Sequence, residues 1–480
     1  MQFNSIEFPV FVLLVFGAYW AIPGHNRRAQ NLLLLGASYF FYGWWDWRFL
    51  SLLAINSLVN YQLGAALGRS SNPGRRKALL LASLACNLGI LGFFKYFNFF
   101  LESLWSAWSL FGNPVAQGTH FEIILPLGIS FYTFQTLSYT LDVYRGRIRP
   151  TRCADDFFAY VSFFPQLVAG PIERAKNLLP QFQQERKFDY GQATDGLRQI
   201  LWGLVKKLLV ADACAPHVHT IFSNPADYGG STLLLGSILF AFQIYGDFSG
   251  YTDMATGTAR LFGFNLSRNF AYPYFSRDIA EFWRRWHISL TTWFKEYLYI
   301  PLGGSRRGRA TSIRNTFIVF LVSGFWHGAN WTFIAWGAYN AAIFLPLLLA
   351  GSNRRHLDDV QPHGLLPGPK PLLQMAATFL LVCVGWVFFR AESLGDALVH
   401  LRGIASASLF SLPEIRPRNL LLLLALFTLV EWTQRAHPHA LFNLRAILRP
   451  RLLRYCLYAT VLLKVTLSPV ATATFIYFQF

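Results

Sequence analysis

Charged residues are scarce in this sequence. Only 14% of its 480 residues are Asp, Glu, Lys or Arg, whereas 54% are hydrophobic and 17% are aromatic. A chain this apolar, with a positive mean hydropathy, has too little polar surface for an ordinary soluble protein. The composition therefore predicts an all-α polytopic membrane protein.

Cysteine is also rare, with five residues in the chain and no C-x-x-C pair among them. The sequence therefore indicates neither a disulfide framework nor a zinc site. It contains no G-x-x-x-x-G-K-[ST] phosphate loop and no H-E-x-x-H zinc motif, so ATP-driven chemistry and zinc proteolysis have no support. We expect no bound cofactor and no metal.

Basic residues are in excess, with 42 Lys and Arg against 24 Asp and Glu, for a formal net charge of +18. They fall in short loops between apolar runs, where cations set membrane topology and contact lipid headgroups; no nucleic-acid partner is expected. The basic loops 25–28, 69–77 and 145–152 follow the first, third and fifth candidate spans. By the positive-inside rule, we expect these loops in the cytoplasm and the N-terminus outside.

A helix needs about 20 apolar residues to cross a membrane. Apolar runs predict helices near 8–23, 30–45, 49–67, 78–97, 122–144, 196–222, 232–262, 313–330, 331–350, 372–390, 418–434 and 453–470, or about ten to twelve crossings. The stretch 157–182 is interrupted by Pro165, Gly170 and Pro171, which predicts a re-entrant or interfacial segment. No basic residue precedes the first run, so we expect that run to stay in place rather than be cleaved.

The stretch 281–331 carries the features most suggestive of function. On a helical wheel, residues 281–298 place aromatic side chains on one arc, with His287 at its edge, and cationic or polar ones on the other. This predicts an amphipathic helix at the membrane surface or partly sunk into a bundle, with His287 pointing inward. A positive cluster of Arg306, Arg307 and Arg309 follows this segment in the sequence.

His327 ends the apolar run 317–326. If the segment is one helix starting near Arg314 at the cytoplasmic edge, a rise of about 1.5 Å per residue places His327 roughly 20 Å deep. Ionisable groups at such depth are costly and are functional candidates. Trp326 and Asn330 are then candidates for lining a tunnel, and Asn330 could orient the imidazole. The alternative is a neutral histidine bonded between helices.

A second polar stretch, QIYGDFSGYTDMATG at 243–257, puts Asp247 and Ser249 inside an apolar region. These side chains are candidates for lining a cavity, but a helix break that satisfies its own backbone groups explains them as well. We favour the structural role. The spacing G-x-x-S-G does not match the G-x-S-x-G of a serine nucleophile elbow.

Five segments together resemble the membrane-bound O-acyltransferase family: FPQLVAGPI (164–172), QIYGDFSGYTDMA (243–255), FWRRWHISLTTWFKEYLYIPLGG (282–304), SGFWHGANW (323–331) and FIYFQF (475–480). Within the family they resemble the bacterial alginate O-acetyltransferase branch, with the D-alanyl transfer protein of teichoic acid modification as a cousin. The resemblance implies a single domain over 1–480, with N-terminal helices in 1–152, a core in 153–331 and C-terminal helices in 332–480. It also implies about eleven transmembrane helices, with re-entrant and amphipathic segments, around a central tunnel.

The resemblance further implies that His327 is the catalytic residue and His287 its polar partner. The implied donor is acetyl-coenzyme A on the cytoplasmic side of a bacterial inner membrane. The implied acceptor is an exopolysaccharide such as alginate, reached by way of periplasmic partner proteins. The sequence departs from the family pattern at Gly246, where a bulky residue is expected, and at Thr252, where serine is frequent; both bear on the shape of the tunnel.

The chemistry of acyl transfer suits these residues. Moving an acyl group from a thioester to a hydroxyl needs a base, and imidazole has a pKa of about 6.5. His327 would be that base, while His287 would polarise the thioester carbonyl or hold the acceptor. The arginines would attract the donor's phosphates, or would serve only as positive-inside anchors. A transporter or flippase with proton-relaying histidines, or a non-catalytic scaffold, are the competing hypotheses.

Overall fold

The computed structural model describes residues 1–111, 121–168, 170–357, 366–444, 448–467 and 475–476. Within these ranges the regular structure is helical throughout and contains no strand, which confirms the predicted fold class. Contacts divide the chain into two units. The first comprises 1–189, 261–266 and 328–330, and the second comprises 190–260, 267–327 and 331–480.

The first unit holds the N-terminal helices and the short helices that follow them. They are α1 Glu7–Ala21, α2 Arg27–Asp46, α3 Leu50–Arg69, α4 Pro73–Leu91, α5 Phe97–Ser109, α6 Ile129–Tyr144, α7 Ala154–Ser162, α8 Phe164–Leu167 and α9 Ala175–Phe182. The helices α1 to α4 confirm the first four predicted helices, whereas α5 was not predicted. The helix α6 begins later than expected, after the left-handed Gly128. The helices α7 to α9 confirm that 157–182 is too broken to form one span.

Polar side chains join α3, α4 and α6 inside the first unit. The Asn87 side-chain amide donates to Asn60 Oδ1 at 2.9 Å, and the Thr136 hydroxyl donates to Asn87 Oδ1 at 2.9 Å. The Ser83 hydroxyl donates to Thr140 Oγ1 at 3.0 Å. All five side chains are buried, and bonds of this kind between apolar helices are worth about 0.6 kcal/mol each on average. They explain how polar residues are accommodated in otherwise apolar helices.

The second unit contains the remaining helices. They are α10 Tyr190–Leu204, α11 Asp212–Ser223, α12 Gly230–Leu261, α13 Ile279–Arg285, α14 Ile288–Phe294, α15 Arg309–His327, α16 Trp331–Leu349, α17 Pro369–Arg390, α18 Leu394–Ile404, α19 Arg418–Thr433 and α20 Arg451–Leu467. A π-helical turn, Val205–Ala211, joins α10 to α11. These bounds confirm the predicted membrane helices of this region, and residues 468–470 of the last one lie outside the described residues. The helix α18 is an addition, and α13 and α14 are taken up below.

Five helical stretches of the described chain are long and apolar enough to cross a membrane: Arg27–Arg69, Pro73–Ser109, Gly230–Leu261, Trp331–Leu349 and Pro369–Arg390. The helix α1 is apolar but shorter. The prediction of several membrane helices is confirmed, whereas the total of about eleven crossings stays a prediction.

Candidate active site

The segment expected to form one amphipathic helix over 281–298 forms two helices instead, so that prediction is wrong. The helix α13 ends at Arg285, Trp286 is extended, and His287 adopts a left-handed conformation with φ of 43° before α14 begins. A left-handed non-glycine residue costs on the order of 1 to 3 kcal/mol and persists only when its surroundings enforce it. Here the Ile288 N–H donates to the Asn269 carbonyl at 2.9 Å, and the Ala271 N–H donates to the Arg285 carbonyl at 3.0 Å.

Two arginines of the predicted polar arc, Arg284 and Arg285, have partners inside the protein. Glu281 is 1% exposed and forms ion pairs with Arg277 at 2.9 Å and Arg285 at 3.0 Å. Burial opposes ionisation of Glu281, but the hydrogen bonds from Arg277 and the charge of Arg285 hold its pKa below its ordinary value. Arg284 donates to the carbonyl of Asn353 at 2.9 Å. The start of this segment is therefore buried among the helices of the second unit, as in the second of the two placements expected for it.

The helix α15 runs without a break from Arg309 to His327, which confirms that His327 ends an apolar helix. Gly324 lies where α15 meets α16, because a Cβ at this position would come within 2.2 Å of the Phe333 carbonyl oxygen. The glycine therefore permits close packing of the two helices. This packing fixes the end of α15 that carries His327.

His287 and His327 face the same small cavity, of about 70 Å³. The residues that line it are Trp283, Trp286, His287, Leu290, Thr291, Phe294, Val319, Phe320, Ser323 and His327. The two imidazole centroids are 6.3 Å apart, and the residues are 1% and 5% exposed. The structure thus brings together two histidines that are forty positions apart in the sequence.

Aromatic rings surround both imidazoles. The ring of His327 lies 5.0 Å from Trp326, 5.2 Å from Trp336 and 5.3 Å from Phe389. The ring of His287 lies 6.2 Å from Trp326. His287 lies between two seven-residue helices. Removal from water lowers the pKa of His287 to about 3, so this imidazole is neutral at physiological pH.

Asn269 contacts His287, and no pattern in the sequence indicated this partner. The Asn269 side-chain oxygen lies 3.1 Å from His287 Nδ1 and accepts from the Ser289 N–H at 3.2 Å and the Ser289 hydroxyl at 2.9 Å. Asn269 is 1% exposed. It lies in the loop between α12 and α13, outside any recognisable motif, and only the pairing of this loop with the α13–α14 break brings it to the histidine.

Asp247 and Ser249 lie on α12 and do not belong to the cavity lining given above. Asp247 forms an ion pair with Lys207 at 2.8 Å and accepts from the Ile476 N–H at 2.7 Å. Lys207 also pairs with Asp212 at 2.8 Å. Ser249 is buried. The partners of Asp247 support the structural role favoured for this stretch, in which buried charges compensate one another.

Two other groups of predicted residues also lie outside that lining. Asn330 belongs to the first unit. The cluster formed by Arg306, Arg307 and Arg309, called the arginine cluster below, is exposed at the start of α15. Eighteen helical rises separate Arg309 from His327, or about 27 Å at 1.5 Å per residue. The arginine cluster can therefore meet only a remote part of any ligand that reaches the histidines.

A histidine pair in a small cavity with mostly aromatic and aliphatic walls is an arrangement suited to proton transfer. Within the described residues, no group of His, Cys, Asp and Glu is arranged to hold a metal ion.

Comparison with known proteins places this site in a family. Residues 154–363, which include both histidines, match the membrane-bound O-acyltransferase family. The chain is 39% identical to a Pseudomonas putida protein named "Probable alginate O-acetylase AlgI", over 91% of this chain and 89% of the relative. It is 36% identical to the peptidoglycan O-acetyltransferase of Helicobacter pylori, over 86% and 81% of the two chains.

A more distant relative is the teichoic acid D-alanyltransferase of Streptococcus thermophilus, which is 28% identical over 47% of this chain and 57% of the relative. The resemblance noted from the five sequence segments is thus confirmed over most of the chain. With its apolar helices and its paired histidines, this chain is a membrane-bound enzyme that belongs to the membrane-bound O-acyltransferase family.

Proposed function

We propose that this protein transfers an acetyl group from acetyl-coenzyme A toward a hydroxyl of an exopolysaccharide such as alginate. The observation that carries the proposal is the cavity shared by the buried residues His287 and His327. It lies within a chain similar over most of its length to proteins named as an alginate O-acetylase and a peptidoglycan O-acetyltransferase.

In this proposal His327 is the general base. It takes the proton of the acceptor hydroxyl as the hydroxyl oxygen attacks the thioester carbonyl carbon. The new C–O bond forms, the C–S bond breaks, and the proton passes from the imidazolium to the departing thiolate. His287 polarises the carbonyl or holds the acceptor, and neither role requires an acyl-enzyme.

The cavity supports transfer of a small acyl group. Its volume of about 70 Å³ is small beside the roughly 300 to 1,000 Å³ of pockets that hold drug-sized ligands, which suits a two-carbon acyl group better than a long chain. Its walls are mostly aromatic and aliphatic. Excluding water from a reactive thioester favours transfer over hydrolysis.

The remaining parts of the proposal concern binding and topology. The arginine cluster attracts the phosphates of the donor at the cytoplasmic mouth, and the chain lies in a bacterial inner membrane with its N-terminus outside. Among the residues expected to line a tunnel, we assign this role to Trp326, whose ring lies 6.2 Å from His287 and 5.0 Å from His327. Periplasmic proteins carry the acetyl group to the polysaccharide.

The decisive experiment uses purified full-length protein in lipid nanodiscs with acetyl-coenzyme A labelled in the acetyl group. Alginate and peptidoglycan fragments are offered in parallel as acceptors, with and without an extract of periplasmic proteins. We expect acetyl ester on a saccharide or a carrier protein, together with free coenzyme A. Movement of intact label across proteoliposomes without ester formation would favour the transporter hypothesis and overturn the proposal.

A further inference from the structure

The contact between Asn269 and His287 determines which ring nitrogen of the histidine carries the proton. A neutral imidazole has one N–H donor and one acceptor nitrogen, and its hydrogen-bond partners select the tautomer. The partner of His287 Nδ1 is the side-chain atom of Asn269 at 3.1 Å. The question is therefore whether this amide atom is an oxygen or a nitrogen.

The backbone N–H of Ser289 identifies this Asn269 atom. It lies 3.2 Å from the same Asn269 atom, and a backbone N–H can only donate. An Asn269 amide nitrogen at this place would bring two N–H donors together, its own and that of Ser289, so the atom is the side-chain carbonyl oxygen. The Ser289 hydroxyl, 2.9 Å away, donates to it as well. Because an amide oxygen only accepts, His287 Nδ1 must carry the proton.

The other half of the amide is consistent with this orientation. The Asn269 nitrogen lies 3.5 Å from Thr252 Oγ1, toward which it donates. The Asn269 backbone carbonyl accepts from the Ile288 N–H, so main chain and side chain of Asn269 both bind the residues that directly follow the left-handed His287. Asn269 thereby fixes both the position of the imidazole and its tautomer.

We propose that Asn269 is a positioning residue that keeps His287 in the Nδ1-protonated tautomer, so that Nε2 of His287 accepts a hydrogen bond from a donor group of the acceptor molecule other than the hydroxyl whose proton His327 takes. A neutral imidazole of this tautomer has no N–H at Nε2 and cannot polarise a thioester carbonyl there. The inference rests on the proposed function, and it assigns His287 to the acceptor side of the reaction. An acceptor bound in this way presents its reacting hydroxyl to His327, whose imidazole centroid is 6.3 Å from that of His287.

The test compares Asn269→Asp and Asn269→Leu in the full-length protein. Asp keeps an oxygen that accepts from Nδ1, whereas Leu keeps the bulk and removes the acceptor. We expect Asn269→Leu to lower kcat/KM for the acceptor at least about tenfold, the factor that corresponds to one lost neutral hydrogen bond, with KM for the donor unchanged. We expect Asn269→Asp to restore most of this loss. Its carboxylate should move the acidic limb of the pH profile to higher pH, because a nearby negative charge favours the imidazolium.

Asn340→Leu is the matched control. Asn340 is a buried asparagine of the second unit whose amide donates to the Trp336 carbonyl at 2.8 Å, and it is absent from the cavity lining. Its loss should lower thermal stability without changing acceptor kinetics selectively. If both leucine variants lose activity only in proportion to folded protein, or if Asn269→Asp is as impaired as Asn269→Leu with an unshifted pH profile, the positioning role is refuted.

A second measurement does not depend on activity. In protein labelled with ¹⁵N-histidine, the His287 signals are assigned by their loss in His287→Gln, and their chemical shifts report which nitrogen is protonated. We expect protonated Nδ1 in the wild type and a mixture of tautomers in Asn269→Leu. A protonated Nε2 in the wild type would overturn the inference even if acetyl transfer is confirmed. The expected tautomer in a protein that transfers no acetyl group would instead refute the proposed function alone.

Discussion

Replacement of His327 tests the proposed site most directly. Loss of a general base typically slows a reaction by about 10²- to 10⁴-fold, which is about 2.7 to 5.4 kcal/mol of transition-state stabilisation at 1.36 kcal/mol per factor of ten. The substitution also affects packing, because the His327 ring lies within 5.3 Å of Trp326, Trp336 and Phe389. At about 0.5 to 1.5 kcal/mol per aromatic pair, three contacts contribute roughly 1.5 to 4.5 kcal/mol.

Alanine at this position therefore combines a chemical defect with a packing defect, and His327→Gln separates them better. Glutamine fills much of the volume of the imidazole but cannot act as a base near neutral pH. We expect its turnover per folded molecule to fall by at least about 10²-fold, with a smaller loss of thermal stability than in His327→Ala. Acetyl transfer is measured under saturating donor, and folded protein is quantified by size-exclusion chromatography and thermal unfolding.

A matched control is His400→Gln. His400 is also buried in the second unit, where it bonds Ser237 at 3.0 Å and stacks on Phe222 at 4.4 Å, but it does not line the cavity. This variant should lose stability and keep its turnover per folded molecule. Near-normal turnover of His327→Gln would refute the assignment of the base. A parallel fall of activity and melting temperature in both variants would favour a structural histidine.

The remaining predictions concern topology, donor binding and stability. A cysteine introduced at Ser71 should resist an impermeant reagent in intact cells and react after permeabilisation, because the loop 69–77 is expected in the cytoplasm; labelling of intact cells would reverse the topology. Charge reversal of the arginine cluster should raise KM for acetyl-coenzyme A more than it lowers kcat, and added salt should have the same effect on the wild type. If neither charge reversal nor salt changes KM for the donor, the arginine cluster serves only as a membrane anchor. Lys207→Met should destabilise the protein by about 3 to 5 kcal/mol, since it leaves Asp247 as a buried charge without its cation, and Asp247→Asn in the same chain should recover part of the loss. If Lys207→Met alone is as stable as the wild type in thermal unfolding, this account of the buried pair is contradicted.

Local pattern in the sequence was enough to predict the membrane class, most of the helices and the end of α15 at His327. Hydropathy and helix-breaking residues act over one or two turns, so an apolar run closed by a histidine and a glycine could be recognised without knowledge of the fold. The broken segment 157–182 was predicted for the same reason, because Pro165, Gly170 and Pro171 interrupt it. The pairing of His287 with His327 was implied only by the resemblance to a family.

Tertiary contacts decided the rest. The stretch 281–298 has a helical hydrophobic period, yet His287 leaves the helix because the loop at Asn269 binds the backbone on both sides of it. The partner of Asp247 is Lys207, forty positions earlier in the chain, so its role as a compensated charge could not be read from its neighbours. Periodicity describes how a segment would fold alone, whereas hydrogen bonds from a distant loop can offset the cost of one left-handed residue, and here they set the geometry of the site.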